Sequence, residues 1–115
     1  VALRHARAAL AAGTDRALPF DLRAFHYLPF EHTESDPAQD EAVRQFEALV
    51  ADARAAVTDP AHPGVQRLAS FLDHARAHRK IVERFGRFPH RNGVLGREST
   101  DEERAWLATG PRFGQ

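Results

Sequence analysis

Asp36-Pro37-Ala38-Gln39-Asp40-Glu41-Ala42-Val43-Arg44-Gln45-Phe46-Glu47-Ala48-Leu49-Val50-Ala51-Asp52-Ala53-Arg54-Ala55-Ala56-Val57 is the stretch that decides the fold. Val43, Phe46, Val50, Ala53 and Val57 recur at alternating steps of three and four, with Ala42, Leu49 and Ala56 beside them, which puts one continuous apolar stripe on an α-helix. Its start places Asp36 as the capping residue and Pro37 at the first helical position, where the missing N–H is not needed. Gln39 is spaced to reach back as in a capping box. Asp59, Pro60, Pro63 and Gly64 break the chain after it.

The same period holds on either side. Ala2 to Ala12 is rich in Ala and Leu, with Gly13 placed as a left-handed cap, and reads as a first helix; Thr14 to Leu18 is a turn. A second helix runs from Pro19 to about Phe30. Its Phe20, Leu22, Phe25, Tyr27, Leu28 and Phe30 are too many for one stripe, which predicts cover on more than one side. Pro29 cannot donate to the carbonyl of Phe25, so the helix is expected to kink or stop there and leave a carbonyl for another group. A fourth helix runs from about Val65 to Phe85 with Leu68, Phe71, Leu72, Ala75, Val82 and Phe85 on its apolar side and Gly86 as cap. Arg87 to Gly96 reads as an ordered loop with an Asn92-Gly93 turn. Ser99 and Thr100 before Glu102 and Glu103 offer two capping registers for a last helix, which includes Trp106 and Leu107 and stops near Gly110-Pro111.

No period-two strand pattern emerges. The expected fold is all-α: about five helices in antiparallel hairpins, stacked right-handed in the tetratricopeptide manner, since the first and third helices start about one such repeat of ~34 residues apart. Residues 1–115 read as a single helical domain. Val1 to Gly13 already reads as the inside of a helix, so the chain is also readable as the C-terminal part of a longer protein, whose missing helices would leave apolar surface for a partner.

Composition narrows the function classes. With no Cys, disulfides, thiolate catalysis and sulfur-ligated zinc are excluded; no metal or cofactor is expected. No apolar run approaches a membrane span of ~20 residues and no signal peptide is evident, so a cytoplasmic location follows by default. The formal net charge is zero, and the basic fourth helix lacks exposed interleaved aromatics, so neither nucleic acid nor membrane is an expected partner. Charge is unevenly placed: residues 31–52 are acidic and residues 76–97 basic, which reads either as mutually offsetting faces or as an anion site.

Three polar strings stand out: Tyr27-Leu28-Pro29-Phe30-Glu31-His32-Thr33-Glu34, Arg84-Phe85-Gly86-Arg87-Phe88-Pro89-His90-Arg91-Asn92 and Leu95-Gly96-Arg97-Glu98-Ser99-Thr100. In order and spacing they resemble the bacterial domain-of-unknown-function family numbered 924, from the first helix to Trp106-Leu107. The resemblance implies a tetratricopeptide-like helical fold and supplies no reaction. Members of that family begin with further helices carrying a Phe-Pro-Arg-Asn string that echoes Phe88 to Asn92; a site shared between two such halves would be incomplete here.

Within these strings Glu31 and His32 have the makings of a carboxylate-oriented general base, with Glu34 nearby, and equally of a helix-end clamp. Arg87, His90, Arg91 and Asn92 crowd one loop, where a guanidinium fork suits a carboxylate or phosphate; the alternative is an internal lock, with Arg87 or Arg91 paired to Glu31 or Glu34. His78 points to the apolar side of its helix, one turn after His74. It reads as a hydrogen-bonded core histidine rather than half of an i, i+4 metal chelate, and the family resemblance, with an aromatic usual at position 74, agrees. No phosphate loop, nucleophile elbow or zinc-protease string occurs. Two functional expectations result. One is a helical-hairpin interaction module that takes a protein, a peptide or a small anion at Glu34, His78, Arg87, His90, Arg91 and Asn92; should the polar strings be purely structural, function would instead depend on missing upstream helices or on a homo-oligomer. The other is a small hydrolase or transferase with His32 or His90 and Glu31 in acid–base roles.

Overall fold

The computed structural model describes residues 2–12, 19–59 and 61–109. Its helices over these residues are α1 (Ala2–Ala12), α2 (Phe20–Glu31), α3 (Asp36–Ala56), α4 (Pro63–Phe85), α5 (Asn92–Leu95) and α6 (Asp101–Thr109), with a 3-10 turn at Pro89–Arg91 before α5. No strand occurs among the described residues. The expected caps or turns at Gly13, Thr14 to Leu18, Pro60 and Gly110-Pro111 lie outside them.

Short links force antiparallel neighbours. Gln39 near the start of α3 meets the end of α2 through Glu31, while Asp52 near its end meets Arg23 near the start of α2. On its other side α3 packs against α4. The α3 stripe is the core, with Val43, Phe46, Leu49, Val50 and Ala53 all buried against Tyr27 of α2 and Leu68, Leu72 and Ala75 of α4. The Tyr27 and Phe46 rings meet edge to face at 5.7 Å. A second cluster, Ala6 with Phe30, Ala38 and Ala42, seats α1; a third, Ile81, Val82 and Phe88 with Phe85 and Trp106, seats the C-terminal segment.

Four local expectations are corrected. The cap of α3 is Ser35, in extended conformation, whose hydroxyl accepts from the Ala38 N–H at 3.3 Å; Asp36 and Pro37 are the first helical residues. Gln39 does not close a capping box, because the Ser35 N–H is already donated to the Thr33 carbonyl. Its amide instead donates to the carbonyls of Glu31 (2.6 Å) and Thr33 (2.9 Å), acceptors left over where α2 ends. Second, α2 runs through Pro29 to Glu31; the Pro29 carbonyl accepts from the Thr33 hydroxyl at 2.6 Å. Third, α4 starts at Pro63, because His62 Nδ1 accepts from the Gly64 N–H at 3.0 Å and so caps the helix earlier. Fourth, Asn92-Gly93 is not a loop turn but the start of α5, which ends where Gly96 adopts φ 69°, a left-handed backbone that favours glycine. Gly86 caps α4 in the same way, as expected.

α2 is covered on more than one side, by α1, α3 and α4, but not all round: Leu22 is 52% and Phe25 67% exposed. No helix of the described residues is long and apolar enough to cross a membrane.

Candidate functional site

The polar strings converge at one end of the α2–α3–α4 hairpins. Glu34, just past α2, accepts from the Phe88 N–H at 2.6 Å and from two nitrogens of Arg97 at 2.9 and 3.0 Å. Arg97 also donates to the Phe88 carbonyl and to Asn92 Oδ1. Asn92, buried, donates onward to Ser99 Oγ at 3.1 Å. Arg87 grips both oxygens of buried Glu103 at 2.7 and 2.9 Å, and Glu103 and Thr100 complete a reciprocal capping box at the start of α6. The Arg87 guanidinium holds the Glu103 carboxyl down at about 2, and the Arg97 guanidinium holds Glu34 below its ordinary value. Arg87, Asn92 and Glu34, three of the expected ligand-binding residues, therefore have their polar groups engaged within the fold. The internal pairs are Arg97 with Glu34 and Arg87 with Glu103, rather than Arg87 or Arg91 with Glu31 or Glu34.

Glu31, His32, His78, His90 and Arg91 gather beside this lock. Glu31, the last residue of α2, is 3% exposed, and its oxygens lie 3.7 Å from His32 Nε2 and 3.6 Å from His78 Nδ1. His78 Nδ1 is bonded to the His74 carbonyl at 2.7 Å, so it carries the proton and the ring is held as that tautomer. The His32 and His78 ring centres are 6.0 Å apart, and Phe88 lies between His78 (5.5 Å) and His90 (5.6 Å). Burial pushes the Glu31 carboxyl up to about 7 and pushes all three imidazoles below their ordinary value, with the Arg91 charge adding to the effect on His32 and His90. Among the described residues no group of three or more His, Cys, Asp or Glu is placed to hold a metal ion.

Arg91 differs from its two neighbours. Its guanidinium stacks 4.5 Å over the Phe88 ring and one nitrogen donates to the His32 carbonyl at 2.9 Å. Among the described residues no carboxylate pairs with it, and its other nitrogens have no acceptor. It is only partly buried. Between α2 and α4, starting one helical turn back from His32, Ala24, Phe25, Leu28 and Phe71 enclose an apolar notch of about 40 Å³. A larger cavity, about 260 Å³, lies at the opposite end of the hairpins between Phe20, Val57, Val65 and Leu68, away from the motif residues.

The chain is an all-α protein built from helical hairpins. The chain belongs to the family described as bacterial protein of unknown function (DUF924), whose profile matches residues 1–111. It is similar to the solved structure of a protein of unknown function from Agrobacterium tumefaciens. The sequences are 43% identical and the TM-score is 0.69, over 95% of this chain and 52% of that one, so the chain spans about half the length of that relative. No curated protein matches it.

Proposed function

We propose that this chain is a helical-hairpin binding module for an anionic small molecule or a peptide carboxylate, bound at the Arg91 rim with its apolar part lying along the α2–α4 seam. The observation that supports this reading is the state of Arg91. Two arginines of the same strings are saturated by carboxylates, whereas Arg91 is fixed by one nitrogen and one aromatic face and keeps the rest of its donor fork open. A guanidinium ordered in this way has already given up side-chain freedom, so an incoming oxyanion costs less entropy than at a mobile surface arginine. His32 and His90 flank it as neutral imidazoles near pH 7, able to donate or accept.

The thermal midpoint against acetate, phosphate and short peptides tests the reading. A ligand of the folded state at a hundredfold excess over its Kd adds about 2.7 kcal/mol, several degrees for a domain of this size. Arg91→Gln is expected to abolish the shift while the free protein melts within about a degree or two of the wild type, since no carboxylate loses its partner. Equal shifts in both proteins would place the anion elsewhere.

A further inference from the structure

Among the described residues, Glu31 is a buried carboxyl that no arginine or lysine pairs with, and its Oε1 makes no hydrogen bond. Three guanidinium groups in the same region go elsewhere: Arg97 to Glu34, Arg87 to Glu103, and Arg91 to the His32 carbonyl. A carboxyl placed only for cohesion would take one of them, because a buried acid without a cation is costly to ionise. What Glu31 meets is imidazole. The two rings have unequal freedom. His78 has its Nδ1 proton committed to the His74 carbonyl. His32 has a side chain 53% exposed, turns Nε2 to the carboxyl, and makes no hydrogen bond to the protein through its other ring nitrogen among the described residues.

We infer that Glu31 and His32 form a proton-transfer pair that acts as general acid and base on the anion held at Arg91. In one direction the Glu31 carboxyl gives its proton to His32 Nε2 while His32 releases the proton on Nδ1 to an oxygen of the ligand. The carboxyl becomes a carboxylate, the ligand gains one proton, and no other bond changes. The reverse passage restores the resting state. The 3.7 Å separation is a resting distance of the kind that shortens when a ligand occupies the site.

The charged and titratable surroundings of the pair are His74 and His78 on α4 and His90 and Arg91 on the segment after it; α3 contributes neutral Gln39, through the Glu31 carbonyl. Burial raises Glu31 to about 7, and burial with the Arg91 charge lowers His32 below its ordinary value, so in the resting state the proton sits on the carboxyl and the imidazole is the neutral acceptor. Each protonation state of one group shifts the titration of the other, as expected for two ionisable groups facing each other across a buried contact. The inference rests on the anion reading of Arg91 for the identity of the proton's recipient; the pair itself does not.

An NMR pH titration of the carbon- and nitrogen-labelled chain tests it, with acetate as probe anion, on wild type, Glu31→Gln and Arg91→Gln. Coupling predicts that His32 ring resonances move over the same pH interval as the Glu31 carboxyl carbon, around 7. Acetate should raise both midpoints, and Glu31→Gln should reduce the His32 response to a single step. A Glu31 titration that leaves His32 unmoved, or a His32 curve unchanged in Glu31→Gln, would overturn the pair. Coupling that persists while acetate perturbs neither Arg91 nor His32 would overturn the anion as recipient, so the two failures are distinguishable. Acetate shifts lost in Arg91→Gln with coupling intact would support both.

Discussion

Arg97 closes a two-pronged ion pair on Glu34, at 2.9 and 3.0 Å, across 63 residues of chain. The same carboxylate holds the Phe88 N–H and the same guanidinium holds the Phe88 carbonyl, so the residue that starts the C-terminal bracket is pinned on both sides. With both side chains largely shielded, removing one partner strands the other. Glu34→Ala and Arg97→Ala are each expected to cost about 3 kcal/mol, and the double variant much less than the sum. Urea denaturation of the three variants measures this; additive losses would show that the pair is not a coupled unit.

Glu103 does the corresponding work for α6. It accepts from Arg87 and from the Thr100 N–H, and α6 carries Trp106, which packs on Phe85 at 5.5 Å. Glu103→Ala should release α6 and red-shift the emission of Trp106, the single tryptophan. Thr100→Ala, which removes the hydroxyl cap but keeps the Arg87 pair, should cost about 1 kcal/mol and leave the emission in place. A red shift of the same size in both would mean that the cap, and not the ion pair, docks the helix.

The helices were legible because their signals are local. Val43 to Val57 carry the period of α3, and Gly86 marks the end of α4 by a conformation other residues avoid. The bracket was less so. Arg97 and Glu34 are far apart in sequence, and six arginines between residues 76 and 97 offer several pairings with the acidic segment that charge alone does not rank. Choice falls to geometry: Arg91 is drawn onto the Phe88 face, and the short α5 turn brings Arg97, not Arg87, over Glu34. Glu103 was visible only as a capping residue, a role it does fill. The exposure of Leu22 and Phe25 was illegible for the opposite reason, since an apolar side chain in the sequence carries no record of whether anything covers it.

Opposing titrations shape the pH dependence of stability. Glu34 and Glu103 have lowered values, so their contribution is present above the ordinary carboxyl range and is lost as pH falls below it, for Glu103 toward about 2. Glu31 is raised from 4.5 to about 7; the folded state binds its proton more tightly than the unfolded chain, so stability from this group is full below about 4.5 and is lost as pH rises through about 7. His32, His78 and His90 are lowered, which works the other way over the interval just below 6.5. Glu31→Gln removes only the falling contribution. Relative to wild type, the variant should therefore gain on the order of 3 kcal/mol between pH 5 and pH 8. Urea midpoints at the two pH values supply the comparison, and a difference that does not change with pH would contradict a buried, proton-holding Glu31.

The apolar strip makes a separate claim on the ligand. Leu22 and Phe25 lie on the solvent side of α2 and Leu28 beside the notch, in line toward His32 and the Arg91 rim. If an anion sits at Arg91 with its apolar part on this strip, affinity should climb along the series acetate, butyrate, hexanoate. Each methylene that leaves water adds about 0.8 kcal/mol, roughly fourfold. Leu22→Ser with Phe25→Ser removes apolar surface that is more than half exposed, so stability should fall by no more than about 1 kcal/mol while the climb flattens. Calorimetric Kd values for the three acids on both proteins decide it. A climb of equal steepness in the double variant would move the chain off the seam, and a flat series in the wild type would leave Arg91 as a site for the carboxylate alone.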